Sequence, residues 1–344
     1  MASLSHAHSG WVRPFGLGQV MAFPFRFLHG LIAAPALVFL AALTAMLFRP
    51  SDVQFYEIDR VGLLALIFVL VVRSCVVRDP LWNASPLIWP MLGLMVLAAT
   101  DLLTQPYEAE AWSVFVAKWI VPFVLFHLAA VSFGDIRSQH RFETFALAVL
   151  AYLSLTAIAF LLNVRGLIFP KYILDESLGI HADRARGPFL QAVANGVSLN
   201  LLALIAVDSY RRGRLRGIFA VCAAIAVPVA ALATRTRAVW LSFVVSAATL
   251  TFASLGPRVR RAGLVLAVCG GAGLLCAMGF CDMQSLNERL QERSSVEFRM
   301  EIYQAGWEMF TEKPALGCGW KGMQQGLTRR IDDFHQGAFY FHNT

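Results

Sequence analysis

Apolar positions run in long blocks through most of the chain, at roughly 28–48, 61–77, 85–104, 112–133, 142–163, 188–207, 217–234, 238–255 and 262–281. Each approaches the length, about 20 residues, at which a helix crosses roughly 30 Å of hydrocarbon. The pattern predicts nine membrane spans and an all-α, polytopic helical bundle over 1–281. Only 282–344 is both long and polar. Within it Val296, Met300, Tyr303, Trp307 and Phe310 recur at spacings of three and four, the period of one helix face. Ser294 and Glu297 have capping-box spacing, and Pro314 with Gly317-Cys318-Gly319 supplies a stop. The spacing predicts an amphipathic helix over 295–312. Glu297, Glu301, Gln304 and Glu308 take its wet side, and it is expected to lie across the span ends as a lid.

Composition supports the membrane reading. Of 344 residues, 58% are hydrophobic and 15% charged, whereas soluble domains are nearer half apolar and a quarter charged. The formal net charge of +7 calls for no nucleic acid, because Lys and Arg accumulate in the cytoplasmic loops of any such protein. The six cysteines are scattered without Cys-x-x-Cys spacing.

Charge in the short loops sets an orientation. Arg211, Arg212, Arg214 and Arg216 fill one loop and Arg258, Arg260 and Arg261 another; both belong inside. Counting back puts Arg137 and Arg141, Arg78, and the N-terminus with Arg13 and Arg26 inside too. The segment 105–111, with Glu108 and Glu110 and no basic residue, falls outside.

Two outer segments then break the rule. One is 164–187, with Arg165, Lys171, Arg184 and Arg186; the other is Arg235 and Arg237, between the blocks 217–234 and 238–255. A charge at bilayer depth costs roughly 3 kcal/mol or more, so arginines there imply a requirement beyond insertion. An anionic ligand satisfies it, and phosphate fits the bidentate fork of a guanidinium. The plainer alternative is snorkelling to lipid headgroups. Arg186 precedes Gly187-Pro188 at the start of a span, where helix N–H groups face an anion. Lys118 sits in the outer half of its span, either snorkelling or facing the same cavity. No metal-ligand spacing emerges, and no metal or organic cofactor is expected. The serines and cysteines lack a base partner.

Three ordered blocks resemble the bacterial O-antigen ligase and O-antigen polymerase family of membrane glycosyltransferases. The first is Arg186-Gly187-Pro188-Phe189 with Asn195-Gly196. The second is Thr234-Arg235-Thr236-Arg237-Ala238-Val239-Trp240, with Thr236 where the family usually has Ser. The third runs Arg299, Trp307, Pro314, Gly317-x-Gly319, His342-Asn343. The resemblance covers about 180 to the end.

It implies an inner-membrane enzyme whose site faces the periplasm and which moves a glycan from a polyprenyl diphosphate carrier to a hydroxyl on a saccharide or protein acceptor. Arg186, Arg237 and Arg299 would hold the diphosphate; Arg235 and Lys118, from the charge pattern, and Asn343, beside His342, are expected as further substrate contacts. His342 would meet or deprotonate the acceptor. Family members continue past this His-Asn with further spans, so a C-terminally truncated chain is expected. Two other readings suit arginines in a membrane cavity: a transporter or flippase of an anionic lipid-linked substrate, and a non-catalytic scaffold of polysaccharide assembly.

Overall fold

The structure, a computed structural model, describes residues 30–49, 58–77, 85–104, 106–178, 182–252, 256–280, 293–314 and 317–331. Among them no strand occurs. Twelve α-helices are used below: α1 (Pro35–Leu47), α2 (Ile58–Val77), α3 (Ile88–Thr104), α4 (Ala109–Phe115), α5 (Val121–Ser132), α6 (Ile136–Leu161), α7 (Ala192–Arg211), α8 (Gly217–Ala233), α9 (Arg237–Phe252), α10 (Pro257–Phe280), α11 (Arg293–Glu312) and α12 (Gly319–Arg330). A π-helical turn, Val116–Ile120, joins α4 to α5 and makes them one rod.

Four helical segments are long and apolar enough to cross a membrane: Arg60–Val77, Ala109–Ser132, Ile136–Leu161 and Ala192–Arg211. Four more apolar helices, α1, α3, α8 and α9, have 13 to 17 residues. Among the described residues four helices therefore reach span length, and α10, with 24 residues, covers 262–280 of the ninth apolar block.

Two starts differ from expectation for local reasons. Helix α6 begins at 136 rather than 142, because the Asp135 carboxylate accepts from Ser138 N at 2.9 Å and caps the polar turn ahead of the apolar run. Helix α7 begins at 192 rather than 188, because Gly187–Phe189 winds as a separate 3₁₀ turn.

Helices α6 to α10 share one core, with Leu150, Leu153, Leu199, Val227, Val239 and Leu266 buried in it. A smaller cluster, Phe39, Leu66 and Leu70, joins α1 and α2 with Leu125 and Leu128 of α5 packed against it. Large apolar side chains such as Phe68, Trp89, Leu155, Leu201 and Val244 face outward. An apolar surface of this extent suits hydrocarbon rather than water.

The amphipathic helix is present but turned over. It begins at Arg293, so Ser294 lies in its first turn rather than at the cap. The side chains it buries are Ile302, Ala305 and Met309, against Leu327 of a helix the sequence did not suggest, α12, and Ile331 just after it. Helix α12 in turn touches α3. The expected stripe points away: Met300, Tyr303 and Phe310 are exposed, and Trp307 is 66% exposed. Glu308 and Glu312, on the expected wet side or beyond it, pair with Arg330 of α12.

Candidate functional site

The first two sequence blocks are folded against each other. Ala185 N donates to Ala233 O at 3.2 Å, so the strand of chain entering Arg186 lies along the end of α8. Asn195, fully buried in the first turn of α7, donates from Nδ2 to Ala185 O at 2.9 Å and fixes that strand from the other side. Two glycines make this possible. Gly187 has φ +56, a conformation that favours glycine, and a Cβ there would lie 2.7 Å from Asn195 Oδ1. Gly196 faces the Val239 side chain so closely that any Cβ would collide with it, which lets α7 and α9 approach at this level.

The turn between α8 and α9 is anchored by its threonines and tryptophan. Thr234 is fully buried and its hydroxyl donates to Ala231 O at 2.7 Å. Thr236, also buried, donates to Thr234 O at 2.9 Å. Trp240 Nε1 donates to Ala231 O at 3.1 Å, closing the turn from its far side. With alternate residues held inside, Arg235 and Arg237 project outward, and both are exposed.

Arg235 takes φ +47, the left-handed region, which costs an L-residue roughly 1–2 kcal/mol. Arg237 is the first residue of α9, where the first amides of the helix have no intrahelical acceptor and attract anions. Among the described residues neither guanidinium has a hydrogen bond or ion pair.

Arg186 is the opposite case. Its side chain is wholly buried. Nε donates to Ile173 O at 3.0 Å, Nη1 to Leu178 O and Nη2 to Asp175 O. All three nitrogens are therefore engaged by carbonyls of the 164–178 segment, and the guanidinium faces backbone rather than open space. Burial pushes its pKa down, opposed by the carboxylates of Asp175 and Glu176. Asp175 is itself held below its ordinary range by bonds from Ser177 Oγ (2.7 Å) and Ser177 N (3.0 Å), with the Arg186 charge adding to them.

The remaining candidates lie apart or outside the description. Lys118 is exposed on the π-helical turn, beside a cleft of about 260 Å³ formed with Ser113, Val114 and Ala117. Neither that cleft nor the turn includes any of Arg186, Arg235 or Arg237. Arg299 lies in α11, and its side chain falls outside the described residues, as do His342 and Asn343 entirely. The structure thus brings together the Arg186 strand and the Arg235–Arg237 turn, and leaves Lys118 elsewhere.

Reading the sequence missed the acceptors of Arg186. They are main-chain carbonyls, which carry no residue signature. Asn195 and Trp240 were visible within the motifs, but not their roles: Asn195 fixes Ala185, whose amide meets α8, and Trp240 closes the arginine turn onto Ala231 O.

The family model described as O-Antigen ligase matches residues 218–344, a segment containing α8 from its second residue, the arginine turn, α9 to α12 and His342. The family resemblance is shown over that segment, and it carries with it a glycosyltransferase type of enzyme working in a membrane. No curated protein and no solved structure matches the chain.

Proposed function

We propose that this chain is a metal-independent glycosyltransferase that moves a glycan from a polyprenyl diphosphate carrier to an acceptor hydroxyl at the periplasmic face of the bacterial inner membrane. The observation that carries the reading is the Thr234–Arg237 turn, inside the segment similar to O-antigen ligases. Two buried threonines aim two uncommitted guanidinium groups outward, beside the free amides of α9.

In the proposed reaction the acceptor oxygen attacks the anomeric carbon of the donor sugar. The bond from that carbon to the diphosphate oxygen breaks, and the electron pair leaves with the diphosphate. Arg237 and Arg235 face the developing negative charge, with Arg299 as a further diphosphate contact. In a site shielded from water, one such preorganised donor is worth about 3 kcal/mol, or 10²–10³ in rate. His342 takes the acceptor proton, a contribution of about 10²–10⁴, and Asn343 lies beside it in the chain. Lys118, at its separate cleft, is assigned to the approach of the lipid carrier rather than to the reacting atoms. Arg186 is a positioning residue here. It ties the 164–178 segment to the strand that Ala185 lays against the end of α8, and so acts on the arginine turn through the backbone.

Transfer is measured with the purified full chain in detergent and a polyprenyl-diphosphate-linked oligosaccharide, scoring glycan joined to acceptor. Arg237→Ala should lower the rate about 10²–10³-fold while membrane insertion and helix content stay unchanged. Arg237→Lys should recover only part, because an ammonium cannot grip two phosphate oxygens in the guanidinium manner. Unchanged transfer by Arg237→Ala would overturn the assignment.

A further inference from the structure

A second cluster of arginines lines a cavity at the other end of the bundle. The first turn of α6 borders it, and the far end of α6 leads into the 164–178 segment that holds Arg186. Helix α6 has 26 residues, so these two places are separated by about 39 Å of helix. The cavity measures about 650 Å³ and is lined by Ala33–Ala36, Arg73, Val131, Ser132, Gly134, Asp135, Arg137, Ser138 and Arg141. That is the size range of pockets for small organic groups, roughly 300–1,000 Å³.

Three observations give it a chemistry. The first is charge: Arg73 from α2 and Arg137 and Arg141 from α6 face it, against one carboxylate, Asp135. Asp135 already accepts from Ser138 N at 2.9 Å. Arg73 gives Nη1 to Ile32 O at 3.3 Å, which fixes it at the wall.

The second is a pair of helix N-termini. Helices α1 and α6 both begin at this cavity and turn the positive end of their dipoles toward it, although Pro35 has no N–H to offer and the Ser138 amide is already taken by Asp135.

The third is Ser132, only 3% exposed, whose hydroxyl has no partner. A hydroxyl at such a place commonly returns to the carbonyl four residues back. Thr44, Thr100 and Thr251 of this chain do so, at 2.7–2.8 Å. Ser132 instead borders the cavity, a buried polar atom lacking the partner such atoms normally have.

We propose that this cavity is a phosphate-binding site, taking either the phosphate of an anionic glycerophospholipid headgroup or a free phosphate ion. It is independent of the arginine turn and of the glycosyl-transfer reading. Charge-assisted bonds from a guanidinium fork suit phosphate oxygens, and the Ser132 hydroxyl supplies the neutral donor. A loop that was basic only to orient insertion would need neither a cavity nor an orphaned hydroxyl.

The test is native mass spectrometry of the delipidated full chain in detergent, titrated with dioleoylphosphatidylglycerol, with and without excess inorganic phosphate at constant ionic strength. One lipid should bind, and the Arg137→Gln/Arg141→Gln pair should weaken it about tenfold or more. Arg211→Gln/Arg212→Gln removes the same charge from the C-terminal end of α7, outside the cavity, and should leave binding unchanged. Ser132→Ala, a substitution that threatens folding least, should weaken binding severalfold. Displacement by inorganic phosphate assigns the site to the free ion; resistance to displacement assigns it to the lipid. Equal loss in both arginine pairs, unchanged binding by Ser132→Ala, or no binding of either phosphate would overturn the proposal.

Discussion

Two arginine-bearing segments meet at one backbone hydrogen bond, Ala185 N to Ala233 O, and put their guanidinium groups to opposite uses. On one side Arg186 is buried and engaged by three carbonyls; on the other Arg235 and Arg237 are exposed and uncommitted among the described residues. The same residue type, within one ordered set of motifs, is in one place part of the scaffold and in the other available to a ligand. What separates them is the main chain. Gly187 and the 164–178 segment fold carbonyls around Arg186, whereas Thr234 and Thr236 occupy the inward positions of their turn and leave the arginines outside.

The contrast breaks first on stability. Arg186→Ala takes the guanidinium donor from the buried Ile173 carbonyl and from Leu178 O, while Asp175 O keeps the amide of Leu178, and it empties the buried space the side chain fills. A buried polar group left unpaired costs about 1–3 kcal/mol, so a loss of about 3 kcal/mol or more is expected in thermal unfolding of the detergent-solubilised chain. Arg186→Lys keeps the charge but not the planar fork and should recover only a minor part. Exposed Arg237→Ala should change stability by less than about 0.5 kcal/mol. If Arg186→Ala unfolds no more readily than Arg237→Ala, the two arginines do not differ in kind.

A smaller effect sharpens the other side. Arg235 holds φ +47. Arg235→Gly and Arg235→Ala both remove the guanidinium, but only glycine accepts that backbone at low cost. The glycine variant should be the more stable of the two by about 1 kcal/mol in the same unfolding assay, while both lose the same share of glycosyl transfer. Equal stability would mean that the turn relaxes once the arginine is gone.

Much of this was legible in the order of residues. The apolar blocks fixed the helices, because hydrophobic runs of span length have few other solutions. The arginine turn was legible too, since charge between two apolar runs stands out. Three things were not. The 3₁₀ turn at Gly187–Phe189 delays the start of α7, and nothing in an apolar pattern distinguishes it from the helix that follows. The fate of Arg186 depends on carbonyls that any residues would supply.

Helix α12 was overlooked because Gly319, Gly322 and Gly326 lower helix propensity. One of them, Gly326, admits Met309: a Cβ there would lie 2.6 Å from the methionine methyl. Without α12 the period-of-3.6 pattern marks only the aromatic stripe of α11 as its apolar face, whereas Ile302, Ala305 and Met309 are the side chains it buries.

The smallest effect concerns pH and the segment that holds Arg186. Ser177 donates twice to the Asp175 carboxylate and keeps it ionised below its ordinary pKa of 3.8. The sign follows from that depression. A carboxylate with a lowered folded pKa contributes its stabilisation above the unfolded value, and the contribution fades as pH falls through the folded one. The bonds from Ser177 and the attraction to Arg186 should therefore be intact at neutral pH and fail only below 3.8. Amide hydrogen exchange in 164–178, followed through acid titration and corrected for intrinsic rates, should show protection lost in that low window. Ser177→Ala removes the hydroxyl donor and should move the loss to higher pH while leaving protection of the α6–α10 core alone. A transition that stays in place in Ser177→Ala would mean that the hydroxyl does not set the ionisation of Asp175, and that the carbonyl clasp on Arg186 stands without it.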